Sequence, residues 1–157
     1  MVTVLVIAGW VVGVVAVLGL AFLVTMRTKV RLVQDLVRRM NRRLLNPRQL
    51  RTAGSVGAYA SVVHHTGRTS GAAYRTPVVA VAHGQGLVVA LPYGPRADWV
   101  RNVLAAGGAT VDHDGESFQV TRPELVSGPE VEDLFDPGER RAHRLFGVTD
   151  FLRMRRA

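Results

Sequence analysis

The apolar and polar positions divide the chain into three stretches with different periods. Val2 to Met26 carries no ionisable side chain. At about 1.5 Å per residue such a run spans a hydrocarbon core of roughly 30 Å, which predicts a transmembrane helix. It has no basic leader and no small-residue cleavage site before Arg27, so an anchor fits better than a cleaved signal. From Lys29 to Asn46, Val30, Val33, Leu36, Val37, Met40, Leu44 and Leu45 recur at steps of three and four between arginines. That period predicts an amphipathic helix, ended by Asn46-Pro47. From Ser55 onward the pattern becomes alternating and β-branched. Strands are predicted over Gly57–Thr66, Arg75–Ala82, Leu87–Leu91, Ala109–His113 and Glu116–Arg122. His83-Gly84-Gln85-Gly86 and Asp114-Gly115 read as hairpin turns. Ala97–Ala106, closed by Gly107-Gly108, reads as a helix with a glycine stop, and short helical patterns cover Glu130–Phe135 and Gly138–Phe146. The fold class expected is α+β: a mostly antiparallel sheet, curled into a small barrel, with a few helices.

Charge sharpens this division. The 157 residues carry 20 Lys and Arg against 12 Asp and Glu, a formal +8. Nine of the basic residues (Arg27, Lys29, Arg31, Arg38, Arg39, Arg42, Arg43, Arg48 and Arg51) fall in one stretch with a single acid, Asp35, and the remainder is balanced. A nucleic-acid-binding domain would carry its excess on a folded face, so no nucleic-acid partner is expected. Basic residues flanking an apolar span stay on the cytoplasmic side, which sets the folded part facing the cytoplasm from the cell membrane. The basic helix suits either anionic lipids of the inner leaflet or plain solvent. The organisation expected is an anchor over 1–26, a juxtamembrane helix over 27–46 and a barrel domain over 47–157.

The chemistry that the residues can carry is limited. Without cysteine there is no disulfide, thiolate site or thiol nucleophile. His64, His65, His83, His113 and His143 show no metal-ligand spacing, so no metal site is expected, and no nucleophile elbow is present. Two segments stand out. Thr66-Gly67-Arg68-Thr69-Ser70-Gly71, followed by Arg75, joins two strands, and its glycines let backbone N–H groups converge on an anion beside charged and neutral donors. A polar hairpin with a solvated arginine explains the same residues equally well. Leu91-Pro92-Tyr93-Gly94-Pro95-Arg96 turns a strand into the helix that begins Asp98-Trp99-Val100-Arg101-Asn102. Trp99 and Asn102 share a face of that helix, where Trp99 serves as a lip of the core or as the wall of an aromatic ligand.

Together, TGRTSG…RTPV and LPYG…DWVRN resemble the deazaflavin-dependent nitroreductase family over about Asn46 to Arg122, and more loosely over Arg140–Met154. The resemblance implies a split β-barrel of the FMN-binding type that binds coenzyme F(420), an 8-hydroxy-5-deazaflavin, and passes hydride from it to a quinone-like or nitroaromatic acceptor. By position, Arg68, Thr69, Ser70 and Gly71, with Arg75, would hold the phosphate and acidic tail. Ala90, Leu91, Pro92, Tyr93 and Gly94 would border the deazaflavin, and Trp99 and Asn102 would line the groove. A membrane-soluble acceptor such as menaquinone would account for the anchor, while His64, His65, Tyr93 or solvent would supply a proton. No catalytic residue is singled out, because hydride transfer is the cofactor's own chemistry. The rival expectations are FMN or haem in the same barrel, or a non-catalytic module binding lipid or a partner protein. The oligomeric state stays open.

Overall fold

The computed structural model describes residues 2–27 and 46–157, with the side chains at 2–9, 11, 25–27, 46 and 47 left aside. The amphipathic helix expected over 27–46 therefore lies almost wholly outside the described residues. Helix α1, Val2–Arg27, takes in the apolar run. The apolar side chains from Val12 to Val24, like Trp10, stand exposed except for Leu23. Among the described residues no helix is long and apolar enough to cross a membrane. Helix α2 is the short Asn46–Gln49. Pro47 suits the first turn of this helix, because a first-turn proline gives up an N–H that would have no intrahelical partner there; the expected end of the preceding helix lies outside the described residues.

The strands are β1 Ser61–Thr66, β2 Ala73–Val78, β3 Ala80–His83, β4 Gly86–Ala90, β5 Gly108–His113, β6 Glu116–Ser127 and β7 Asp150–Arg156. They form one antiparallel sheet in the order β2-β1-β5-β6-β7-β4-β3. Strands β2 and β3 are its two edges, yet Val79 alone joins them. One residue spans only about 3.5 Å, so the sheet must curl until its edges meet. The result is a split barrel within an α+β domain. The expected single strand over Arg75–Ala82 is thus one extended run whose first half pairs with β1 and whose second half pairs with β4.

Two further expectations change. Strand β6 runs beyond Arg122, through a register shift between Thr121 and Glu124 at which Arg122 has φ 50°. The bulge bends the strand and accommodates Pro123, which has no N–H to give to a ladder, as β6 turns from β5 toward β7. Strand β7 was not expected, and it is the strand that connects the β4 edge to the rest of the sheet. The expected turns hold. Asp114 and Gly115 have φ 48° and 82°, the two positive values of a type I′ hairpin. Gly107, at φ 70°, caps helix α3, Asp98–Ala106, in the left-handed conformation.

Strand β4 shows how the core is divided. Leu87 and Val89 enter a cluster inside the barrel with Val63, Val111, Leu152 and Met154, closed by Val100 and Val103 of α3. Val88 and Ala90 enter a second cluster with Val126, Val131, Phe135 and Phe151. Both faces of this strand are covered, so it reads as a continuous apolar run rather than an alternating one. The second cluster is roofed by helix α4, Gly128–Val131, and by a 3-10 turn, Glu132–Leu134. Helix α5, Pro137–Phe146, starts at Asp136, whose carboxylate accepts from Gly138 N at 2.7 Å and Glu139 N at 3.0 Å. Helix α1 runs beside α5.

Candidate functional site

The loop between β1 and β2 is built tightly. Gly67 N donates to Ala72 O at 2.8 Å and Gly71 N to Gly67 O at 2.8 Å. A Cβ on Gly67 would strike Ser70 Oγ and lie 2.8 Å from Tyr74 Cε2, so only glycine fits while Ser70 folds under the loop. Ser70 Oγ accepts from Ala72 N at 3.3 Å and meets the Tyr74 hydroxyl at 3.3 Å. Gly71, at φ 66°, turns the chain and does not itself face the cleft described below.

This loop is held against α3 through Asn102, whose side chain is buried in the sheet–helix seam. Asn102 Oδ1 accepts from Arg68 N at 3.2 Å and from Arg68 Nη1 at 2.9 Å. Arg68 Nη1 and Nη2 also reach Asp98 Oδ1, each at 3.3 Å. A guanidinium has five N–H groups. Two of them, Nε–H and one on Nη2, are left without a partner among the described residues. On its other side Asn102 Nδ2 donates to His65 Nδ1 at 3.1 Å, and His65 Nε2 meets Thr76 Oγ1 at 3.0 Å. The His65 and Tyr74 rings stack with centroids 5.6 Å apart. Burial holds the His65 imidazole below the ordinary histidine range.

The network opens onto a cleft of about 890 Å³, within the range of small-molecule and cofactor sites. Arg68, Thr69 and Ser70 line one end, with Arg75 from β2. Ala90, Leu91, Pro92, Tyr93 and Gly94 form the adjoining wall, and Trp99 and Asn102 face it from α3. Of the expected residues only Gly71 stands off the wall. Of the three side chains weighed as proton donors, His65 and Tyr93 line the cleft. His64 instead faces the other side of β1, where its Nε2 lies 2.6 Å from Asp112 Oδ2.

A further part of the lining is not predicted by the sequence. Glu139, Ala142, His143 and Phe146 of α5 form it, with Tyr59 and Val148. Positions 139, 142, 143 and 146 form one helix face, a period that was present in the sequence without showing what the face would cover. Burial, reinforced by the Asp136 carboxylate, pushes the Glu139 carboxyl up, while a hydrogen bond from Tyr59 opposes it. His143 is buried edge-on between Phe135 and Phe151, at ring distances of 4.8 and 5.4 Å, and burial lowers its pKa. Among the described residues no three His, Cys, Asp or Glu side chains converge as metal ligands.

The arrangement suits an extended ligand that is anionic at one end and aromatic at the other. Arg68, Arg75 and neighbouring hydroxyls offer donors to an anion, and backbone, Tyr93 and Trp99 offer a surface for a flat ring.

No curated protein sequence matches the chain. The solved structures that the chain is similar to include two with a TM-score of 0.46. One is the Agrobacterium tumefaciens str. C58 protein Atu2129, of unknown function, at 12% identity over 62% of this chain and 48% of that one. The chain therefore spans about half the length of that protein. The other, from Clostridium acetobutylicum, is a protein related to general stress protein 26 of B. subtilis (pyridoxinephosphate oxidase family), at 10% identity over 70% of this chain and 80% of its own. Residues 27–143 match the model of the F420H(2)-dependent quinone reductase family. That match covers more than half of the chain and includes both segments that shape the cleft, so the chain belongs to the F420H(2)-dependent quinone reductase family, a deazaflavin-dependent, nitroreductase-type family of oxidoreductase enzymes.

Proposed function

We propose that the cleft binds the reduced deazaflavin coenzyme and a quinone acceptor side by side. The observation that carries this reading is the fixing of Arg68, by backbone and guanidinium together, on the buried Asn102 at the end of a cleft walled by Trp99. Arg68, Thr69 and Ser70, with Arg75, would hold the phosphate and acidic tail. Ala90–Gly94 and Trp99 would sandwich the ring system, and the α5 wall leaves room for the acceptor. When bound, the coenzyme supplies the hydride. The chain's own residues bind it, orient it against the acceptor and exclude water. Full-length protein in detergent should bind the reduced coenzyme at micromolar levels and oxidise it when menaquinone is added. Absence of binding at those concentrations overturns the reading, and a purified protein carrying a flavin or haem absorbance would replace it with the corresponding rival.

The anchor belongs to the same proposal. Thirteen consecutive positions of α1, Val12–Val24, are apolar or small, with all but Leu23 exposed, and such a surface calls for a cover. The helix runs beside α5, the wall assigned to the acceptor. A single-pass anchor with the barrel at the inner face of the cell membrane would raise the local concentration of a membrane-soluble quinone. The full chain should sediment with membranes and resist carbonate extraction, and recovery in the soluble fraction would dismiss the anchor.

A further inference from the structure

His65 sits one residue before the end of β1, beneath the loop that carries Arg68, and the roles in its contacts follow one another without a free choice. Guanidinium and backbone N–H groups only donate, so the Asn102 atom that Arg68 N and Nη1 share is the carbonyl oxygen. The Asn102 NH2 group then faces His65 Nδ1 at 3.1 Å and can only donate to it. Nδ1 therefore accepts, and the ring proton sits on Nε2, donated to Thr76 Oγ1 at 3.0 Å. Protonating the ring would set N–H against N–H at Asn102. If the amide turned over to relieve that clash, it would present its NH2 to Arg68, which has nothing to accept with.

The surroundings favour the neutral ring. Burial and the neighbouring His64 disfavour its protonation, Asp98 from α3 opposes them, and Tyr74 from β2 covers the ring face. Arg68 reaches the ring only through Asn102.

We propose that His65 is a positioning residue for the anion grip of this cleft: in its neutral Nε2–H form it fixes the Asn102 amide, Asn102 aims Arg68, and protonation of His65 releases Arg68 and weakens binding of the coenzyme's acidic tail. The inference rests on the reading of the cleft as a coenzyme site. Its sign is opposite to that of simple electrostatics, in which a new positive charge beside an anion site tightens binding.

The test titrates coenzyme F(420) into the full chain in detergent from about pH 8 to about pH 4, past the range in which ordinary histidines change charge, because burial lowers that of His65. Wild type is compared with His65→Asn and His65→Leu, each checked for folding by thermal denaturation, and the His65 titration is followed by its imidazole nitrogen shifts. His65→Asn keeps an acceptor where Nδ1 stood but cannot be protonated there. It should lose the dependence on His65 ionisation, which also separates ionisation of the coenzyme itself, and at the high end it should bind more tightly than His65→Leu. Wild-type affinity should fall about tenfold as His65 protonates, and His65→Leu should bind about tenfold more weakly throughout, the scale of one lost hydrogen bond. Affinity that holds or tightens as His65 protonates, or wild-type affinity in His65→Leu, overturns the inference while leaving the coenzyme site intact. Failure of wild type to bind at any pH overturns the functional reading and takes this inference with it.

Discussion

Arg68→Ala should weaken binding of the reduced coenzyme by about a hundredfold and leave the barrel folded. The size follows from the kind of contact. A charge-assisted donor pair aimed at a phosphate or carboxylate is worth about 2–5 kcal/mol when one partner is truncated in a desolvated site. Here Nε–H and one Nη2–H remain to be given, while the other guanidinium donors are spent on Asn102 and Asp98. The fold should tolerate the change because the partner Asp98 is 79% exposed and an ion pair of that kind adds little stability. Arg68→Lys should recover only part of the loss. A single ammonium cannot hold the Asn102 carbonyl and present a fork to an anion at once. Fluorescence titration of the coenzyme gives the affinities and thermal denaturation the stabilities. Unchanged affinity in Arg68→Ala would remove the anion from this end of the cleft.

The parts of the site that were legible in the sequence carry their chemistry in consecutive residues. Thr66–Gly71 needs glycines for its turn and donors beside them, and in the fold outside the site Asp114-Gly115 needs two positive φ values, so neighbours alone reveal both. Trp99 and Asn102 were found because a helix brings positions three apart onto one face. What sequence did not reveal depends on partners distant in the chain. Strand β7 offers only Phe151, Leu152 and Met154 among charged residues, and they become core only because β4 and β6 flank them. The alternation of β1 places His64 and His65 on opposite faces but does not say which one is inside. That choice is made by α3, which delivers Asn102 to the His65 side. The α5 wall has a regular helical face, but the cleft that it covers exists only once the sheet has curled.

The second large effect tests the strand that sequence did not reveal. Phe151→Ala should lower the unfolding free energy by about 3–5 kcal/mol, the usual range for truncating a fully buried phenylalanine. Phe151 is completely buried in β7, where its ring lies 5.4 Å from Phe135 and 5.4 Å from His143. It thereby ties the outer core cluster to the helix that walls the cleft. A domain of this size has roughly 5–15 kcal/mol of stability in all, so the loss should lower the melting temperature by roughly 10–20 °C. The damage should also reach function. With the ring gone, His143 loses the surface on which it rests, and α5, which helps to line the cleft, loses that support. Phe151→Leu, which keeps most of the volume, should cost less than half as much. Circular dichroism melts of the two variants provide the measurement. A shift of only a few degrees in Phe151→Ala would mean that β7 does not occupy the core between β4 and β6, and the assignment of α5 as a wall of the site would fall with it.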